Sequence, residues 1–248
     1  MEHGDGENTV SIRRGSQEDV KDIVYVMEEA VRSMERPEWF VSDDETFIRE
    51  HIEKKGFIMV AERQIGEEGP EAEAAPLVPL VPLASFAPFT PRIGAFLIVK
   101  FPGLSEKNLG RTLDMSEEEL LKAAHMESSA VLPSWRGMGL QKRLMEAAEK
   151  ELLGGPHTLL MATVHPENRF SLENFLREGY EVKATVRRYG GLLRHVLLKD
   201  VSKVHMSISE DQSRDISRNR GIKSEMAGQQ QREWEKKQKK TGDTADLN

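Results

Sequence analysis

A chain of 248 residues and 28.1 kDa is long enough to bury a hydrophobic core, as one large domain or two small ones. Hydrophobic residues make up 38% of it, and no apolar run approaches the roughly 20 residues of a membrane-spanning helix, so no contact with a membrane is expected. With no cysteine there is no disulfide framework, no thiolate nucleophile and no zinc site built on sulfur. The net charge of −7 is uneven: residues 201–248 hold 10 Lys and Arg against 8 Asp and Glu, leaving 25 against 34 in a body near −9. An acidic body is a poor ligand for a phosphate backbone, which excludes nucleic acid as a partner. The first fifteen residues lack the basic start and apolar stretch of a secretory signal, so a cytoplasmic location is expected.

In chain order, residues 1–8 read as a flexible lead-in and Thr9–Arg13 as a strand. Ser16 followed three residues later by Asp19 opens a helix with Val20, Ile23, Val24, Met27, Ala30 and Val31 at helical spacing. Pro37 breaks the chain; Asp43 or Asp44 then caps a second helix that carries Phe47, Ile48 and Ile52 and stops before Gly56. Phe57–Glu62 and Ile93–Phe101 read as two strands of a hairpin with an enlarged loop. Its loop, an insertion over 66–92, holds six of the chain's eleven prolines and the piece PLVPLVPLASF. Proline denies this piece a central strand position, and its Leu and Val content favours a loop packed on the body over a lid that binds a partner.

Ser116 with Glu119 in capping-box spacing marks a short helix. A strand follows over His125–Leu132, ended by Pro133, and then a helix over Gly139–Leu153 stopped by Gly154, Gly155 and Pro156. Thr158–Val164 is a continuous apolar run of the kind a strand covered on both faces requires. The turn HPEN leads into the helix FSLENFLRE, and strands over Tyr180–Arg188 and Leu192–Lys199 flank the turn Tyr189-Gly190-Gly191. The order describes one α/β (α+β) domain over 9–200, with a mixed, mostly antiparallel sheet flanked by helices. Residues 201–248 are polar and mixed in charge, a composition expected to remain a disordered tail.

The segment V-L-P-S-W-R-G-M-G-L, residues 131–140, sets glycines and Arg136 between a strand and a helix start. Backbone N–H groups and the positive helix end there suit a phosphate, although such glycines also serve ordinary strand-to-helix turns. No GxxxxGK[ST] is present, and the glycine spacing is not that of a dinucleotide fold. This segment resembles the pyrophosphate loop R/Q-x-x-G-x-G/A of the GNAT superfamily of acyl-CoA-dependent N-acyltransferases. Arg136 and Gly139 stand at the first two defining positions, and Gln141 departs from the third. Downstream, T-V-H-P-E-N-R-F-S-L-E-N-F-L-R-E-G-Y is similar to the family's strand, Asn and helix element, and the whole resemblance spans about residues 9–200.

The resemblance implies acetyl-CoA held by Arg136, Gly137, Met138, Gly139, Leu140 and Gln141, with Asn168 bonding the pantetheine arm and Ser171 and Phe175 lining its groove. It implies direct transfer to a primary amine of a small molecule, with no metal. Glu127, four residues before Val131, matches the family's carboxylate base, acting through water. Strand alternation places His125 and Ser129 on its face, His125 either sharing the proton or serving structure. Backbone N–H groups near Ala130 and Val131 would polarise the thioester carbonyl. The family's usual tyrosine acid is replaced by Phe175, leaving Tyr180, Tyr189 or solvent for that task. His165 reads as a surface residue. Trp39 and Phe40 fall where the acceptor wall forms, a position that core packing also explains. Phe175 and Gln141 suggest the alternative reading, a coenzyme A-binding module with little catalysis.

Overall fold

The computed structural model describes residues 9–64 and 90–202. The insertion, but for its last residues, and the tail beyond Ser202 lie outside them, as do residues 1–8. Seven strands form one sheet: β1 (Val10–Arg14), β2 (Gly56–Arg63), β3 (Ile93–Lys100), β4 (Ala123–Val131), β5 (Leu159–Val164), β6 (Glu181–Arg188) and β7 (Leu192–Asp200). Their order is β1-β2-β3-β4-β5-β7-β6, and every neighbouring pair is antiparallel except β4 with β5. The mixed, mostly antiparallel sheet read from the sequence is therefore present. Five α-helices accompany it among the described residues: α1 (Val20–Arg32), α2 (Glu45–Glu53), α3 (Glu117–Leu121), α4 (Leu140–Leu152) and α5 (Arg169–Arg177).

The local signals act as their chemistry dictates. The Ser16 N–H donates to the Asp19 carboxylate at 2.7 Å, and Arg13 grips the same carboxylate at 2.7 and 2.9 Å, tying the start of α1 to β1. α1 buries Val20, Ile23, Val26, Met27 and Ala30, a stripe at helical spacing that includes Val26, whereas the expected Val24 and Val31 are only half-buried. The cap of α2 is Asp44, whose carboxylate accepts from the Phe47 N–H at 2.7 Å; Asp43 turns elsewhere. The ends of the hairpin that carries the insertion are clamped by the Arg63 N–H, which donates to the Arg92 carbonyl at 3.2 Å, and β2 is held to the start of β1 by the Gln64 N–H, which donates to the Thr9 carbonyl at 2.9 Å.

β3 is buried at every position from Ile93 to Val99, which makes it the spine of the core. α1 and α2 pack on the strands of this half of the sheet, and Phe47 of α2 lies under the Lys100 ammonium at 5.4 Å. The face that carries Lys199 is covered by α4, whose Glu149 pairs with that lysine at 2.6 Å. Two irregularities in this frame build a cleft. β4 and β5 pair only from Ala123 with Leu159 through Met126 with Ala162, and beyond that point the two parallel strands separate. At the same place the β3–β4 register slips: Ile98 faces Ser128 while Val99 faces Met126, so Glu127 is an extra residue without a partner, a bulge in β4.

Candidate active site

The gap between β4 and β5 opens into a cleft of about 1380 Å³. Its walls come from β4, β5, the start of α4, the first turns of α5, the segment between α1 and α2, and the β6–β7 hairpin. A strand edge that has lost its neighbour offers free backbone groups. The Leu132 N–H donates back to the Gly94 carbonyl on β3 at 2.8 Å, so by alternation the N–H groups of Val131 and Ser129 face the gap while that of Ala130 faces β3. Of the two donors expected here, Val131 is on the open edge; Ala130 is not, and Ser129 takes its place.

The bulge also corrects the expected face pattern. His125 pairs with Lys100 and Ser128 with Ile98, two positions apart on the regular strand β3, so Ser128 rather than Ser129 shares the His125 face. There a polar cluster assembles. Glu127 lies 3.5 Å from the Lys100 ammonium and 3.4 Å from His125 Nδ1. Burial pushes the Glu127 carboxyl up, but the His125 hydrogen bond and the Lys100 charge outweigh it and hold the group below the usual glutamate range. His125 is 1% exposed, and its Nε2 accepts from the Leu109 N–H at 3.2 Å, leaving Nδ1 to carry the proton toward Glu127. Both ring nitrogens are thus engaged, and the imidazole orients the carboxylate.

Asp43, read from sequence only as a possible helix cap, lies in this site. Its carboxylate accepts from the Ser128 hydroxyl at 2.5 Å, its N–H donates to Met27 Sδ at 3.3 Å, and it lines the cleft with Glu127. Burial, opposed by the Ser128 hydrogen bond and aided by the Glu127 charge, pushes its pKa up to about 6. Two carboxylates in one cleft thus differ in proton affinity, one held ionised and one poised near neutrality.

On the opposite side the Arg136–Gln141 segment enters α4. Gly137 and Gly139 have φ of 82° and 65°, and Cβ atoms on either would meet nothing within 4 Å, so the loop is open toward the cleft. The first bond of the helix runs from Arg143 N–H to the Gly139 carbonyl, leaving the N–H groups of Leu140, Gln141 and Lys142 without intrahelical acceptors. Arg136 has no carboxylate partner among the described residues and donates to Ser33 Oγ at 2.7 Å. Met138 is exposed and the Leu140 side chain is buried. The departure at Gln141 has a physical resolution: its side chain leaves the loop and ties α4 to α5, bonding Ser171 Oγ at 3.3 Å and Asn174 Nδ2 at 2.7 Å. Asn168 caps α5 through the Ser171 N–H at 3.2 Å and, with Ser171 and Phe175, lines the cleft. The open N–H groups, the glycines and the unpaired Arg136 fit a pyrophosphate, and the free edge at Ser129 and Val131 fits an amide-bearing arm beside it.

Trp39 and Phe40 both line the cleft, and Trp39 stacks on His165 with ring centroids 6.1 Å apart. His165 is therefore part of the wall, not an isolated surface residue. Tyr180 is buried edge-on against Phe175 at 5.0 Å, away from the cleft surface, whereas Tyr189 lines it with its hydroxyl 3.3 Å from Thr163 Oγ1. Tyr189 adopts φ of 50° at the tip of the β6–β7 hairpin, a conformation few side chains accept. Residues that sequence reasoning passed over, Asp43, Ser128, Lys100, Arg188 and Arg194, carry no motif. Strand pairing, and for Asp43 the packing of the segment before α2 against β4, bring them to one cleft.

Comparison with known proteins agrees with this geometry. Residues 113–180, which hold β4, the glycine loop, α4, β5 and α5, match a model of the Acetyltransferase (GNAT) family. No curated protein matches the chain in sequence. Among solved structures, Naa20 of Chaetomium thermophilum in complex with a bisubstrate analogue is similar at 16% identity and a TM-score of 0.51, covering 77% of this chain and 86% of that one. The ribosomal-protein-alanine N-acetyltransferase of Brucella melitensis is similar at 15% identity and 0.51, covering 77% and 99%. yncA of Salmonella typhimurium with its cofactor acetyl-CoA is similar at 14% identity and 0.50, covering 78% and 94%. Residues 113–180 are thus similar to the GNAT acetyltransferase family, and the fold of the chain is shared with these solved structures.

Proposed function

We propose that the protein transfers the acetyl group of acetyl-CoA directly to a primary amine of a small molecule. The observation that carries the reading is the divergence of β4 from β5, with Glu127 bulged at its inner end and the glycine loop at its mouth. Arg136 and the first N–H groups of α4 would hold the pyrophosphate, and Ser129, Val131 and Asn168 the pantetheine arm. When bound, acetyl-CoA supplies the activated acetyl thioester. The Val131 N–H faces the gap where a carbonyl oxygen gaining charge would need a donor. Glu127, ionised and oriented by His125 and Lys100, attracts the acceptor's ammonium and takes its proton through water. Asp43, closer in proton affinity to neutral pH, shares that load. Tyr189, the tyrosine on the cleft wall, is placed to return a proton to the departing thiolate. No covalent enzyme intermediate is required, in keeping with a chain that has no cysteine.

The reading is tested by mixing the full chain with acetyl-CoA and a panel of primary amines and following thiol release together with the mass of the acceptor. Amine-dependent thiol release with a gain of one acetyl group is expected. Stabilisation by coenzyme A without turnover of any amine would instead identify a binding module.

A further inference from the structure

Side chains of both charges line the cleft. On the β4 side stand the carboxylates Glu127 and Asp43; on the β6–β7 hairpin the guanidinium groups of Arg188 and Arg194 flank Tyr189, 6.0 and 5.7 Å from its ring centroid. Arg194 is 2% exposed. It donates to the backbone carbonyls of Trp39 at 2.9 Å and Glu38 at 3.0 Å, and its buried Nε has no acceptor. Arg188 donates to Thr112 Oγ1 at 2.9 Å and to the Lys107 carbonyl at 3.5 Å. Every one of these acceptors is neutral. Among the described residues no carboxylate lies within ion-pairing reach of either arginine, although arginines elsewhere in the sheet and helices find one readily. Taking a guanidinium out of water without a counter-ion is costly, and the protein supplies none here. Lys107 adds a third cation to the same wall.

We propose that the acceptor is an amine that also carries a carboxylate, its ammonium received at Glu127 and Asp43 and its carboxylate at Arg188 and Arg194. The inference rests on the N-acetyltransferase reading and limits the acceptor to amines that bear an anion, while admitting a peptide beside the small molecule proposed above. The carboxylate belongs either to a free amino acid or to an acidic residue at the start of a peptide, and both present the same group to the arginines.

The test pairs acceptors that differ only in the anion: an ω-amino acid against the alkylamine of equal length, and a peptide with Glu beside its N-terminal residue against the same peptide with Gln. For at least one pair the carboxylate member is expected to have a kcat/KM ten or more times higher, and Arg188→Gln to reduce that ratio at least fivefold through KM. Arg194→Lys supplies a second variant at the buried position. The pair that shows the preference identifies the source of the carboxylate. Equal turnover within both pairs would overturn the proposal and leave the acetyltransferase reading intact. If no amine is acetylated, the transferase reading fails by itself, and calorimetric binding to the coenzyme A-loaded protein decides the rest. Tighter binding of the carboxylate members, weakened by Arg188→Gln, supports the anion site, and equal or undetectable binding overturns it.

Discussion

At the scale of single residues, the two carboxylates of the cleft should be separable by pH. Glu127 is held below the usual range and stays ionised throughout the neutral region, so Glu127→Gln should lower turnover on the order of 10²-fold across pH 6–8, the typical contribution of a positioned base. Steady-state kinetics of the variant at several pH values checks this, and parent-like activity at pH 7 would return Glu127 to a structural role. Asp43 titrates near 6, and the acid limb of kcat/KM for the parent should fall there and disappear in Asp43→Asn. Asp43 also has a stability signature. Its folded pKa lies above the ordinary carboxylate value, so the folded state binds the proton more tightly and loses stability as pH rises from about 4 to about 6. Asp43→Asn should therefore raise the melting temperature relative to the parent at pH 8 and have the least effect near pH 4. A constant difference across that range would contradict the assignment.

At the scale of elements, the glycine loop and the strand behind it make different demands. Gly139 occupies the left-handed region at φ 65°, which Asp tolerates better than most residues, and its missing side chain faces open space. Gly139→Asp should leave the fold in place but weaken coenzyme A binding tenfold or more by setting a negative charge at the phosphate position, as calorimetry would show. Gly94 is a glycine for packing: a Cβ there would stand 1.9 Å from the ring of Trp135, which anchors the segment before α4. Gly94→Ala should cost about 1–3 kcal/mol by overpacking, roughly 2–4 °C of melting temperature per kcal/mol at this size. The glycine loop was legible because its chemistry is local: Arg136, Gly137 and Gly139 sit within four residues. The Glu127 bulge was not, since strand alternation counts every residue once and an extra one is visible only against the partner strand. Asp43 was hidden for a similar reason. Asp43 and Asp44 are equivalent as caps in sequence, and contact with Ser128, far along the chain, decides between them.

For the molecule as a whole, order of elements and family resemblance could be read before any coordinate, because each helix start and strand run is encoded in neighbouring residues. The part of the cleft proposed to take the acceptor could not, since Trp39, Asp43, Arg188, Tyr189 and Arg194 meet only when the β6–β7 hairpin closes beside the segment between α1 and α2. Most of the Pro-rich insertion lies outside the described residues, yet its two ends are already joined by the Arg63–Arg92 hydrogen bond, and Gln64 is tied to Thr9 before β1. Replacing residues 68–90 with a short Gly/Ser linker should therefore keep the protein folded with unchanged coenzyme A affinity, because closing a shorter loop costs little. Far-ultraviolet circular dichroism and calorimetry check this, and unfolding would show that the insertion belongs to the core.

The central claim is acetyl transfer to an amine in the cleft between β4 and β5. Its most direct test is mass spectrometry of an amine panel incubated with acetyl-CoA and either the parent or Glu127→Gln, with thiol release followed in parallel. The account predicts an acceptor heavier by one acetyl group, one thiol released for each, and a rate about a hundredfold lower with the variant. Coenzyme A binding without any acetylated amine, or equal rates for parent and variant, would contradict it.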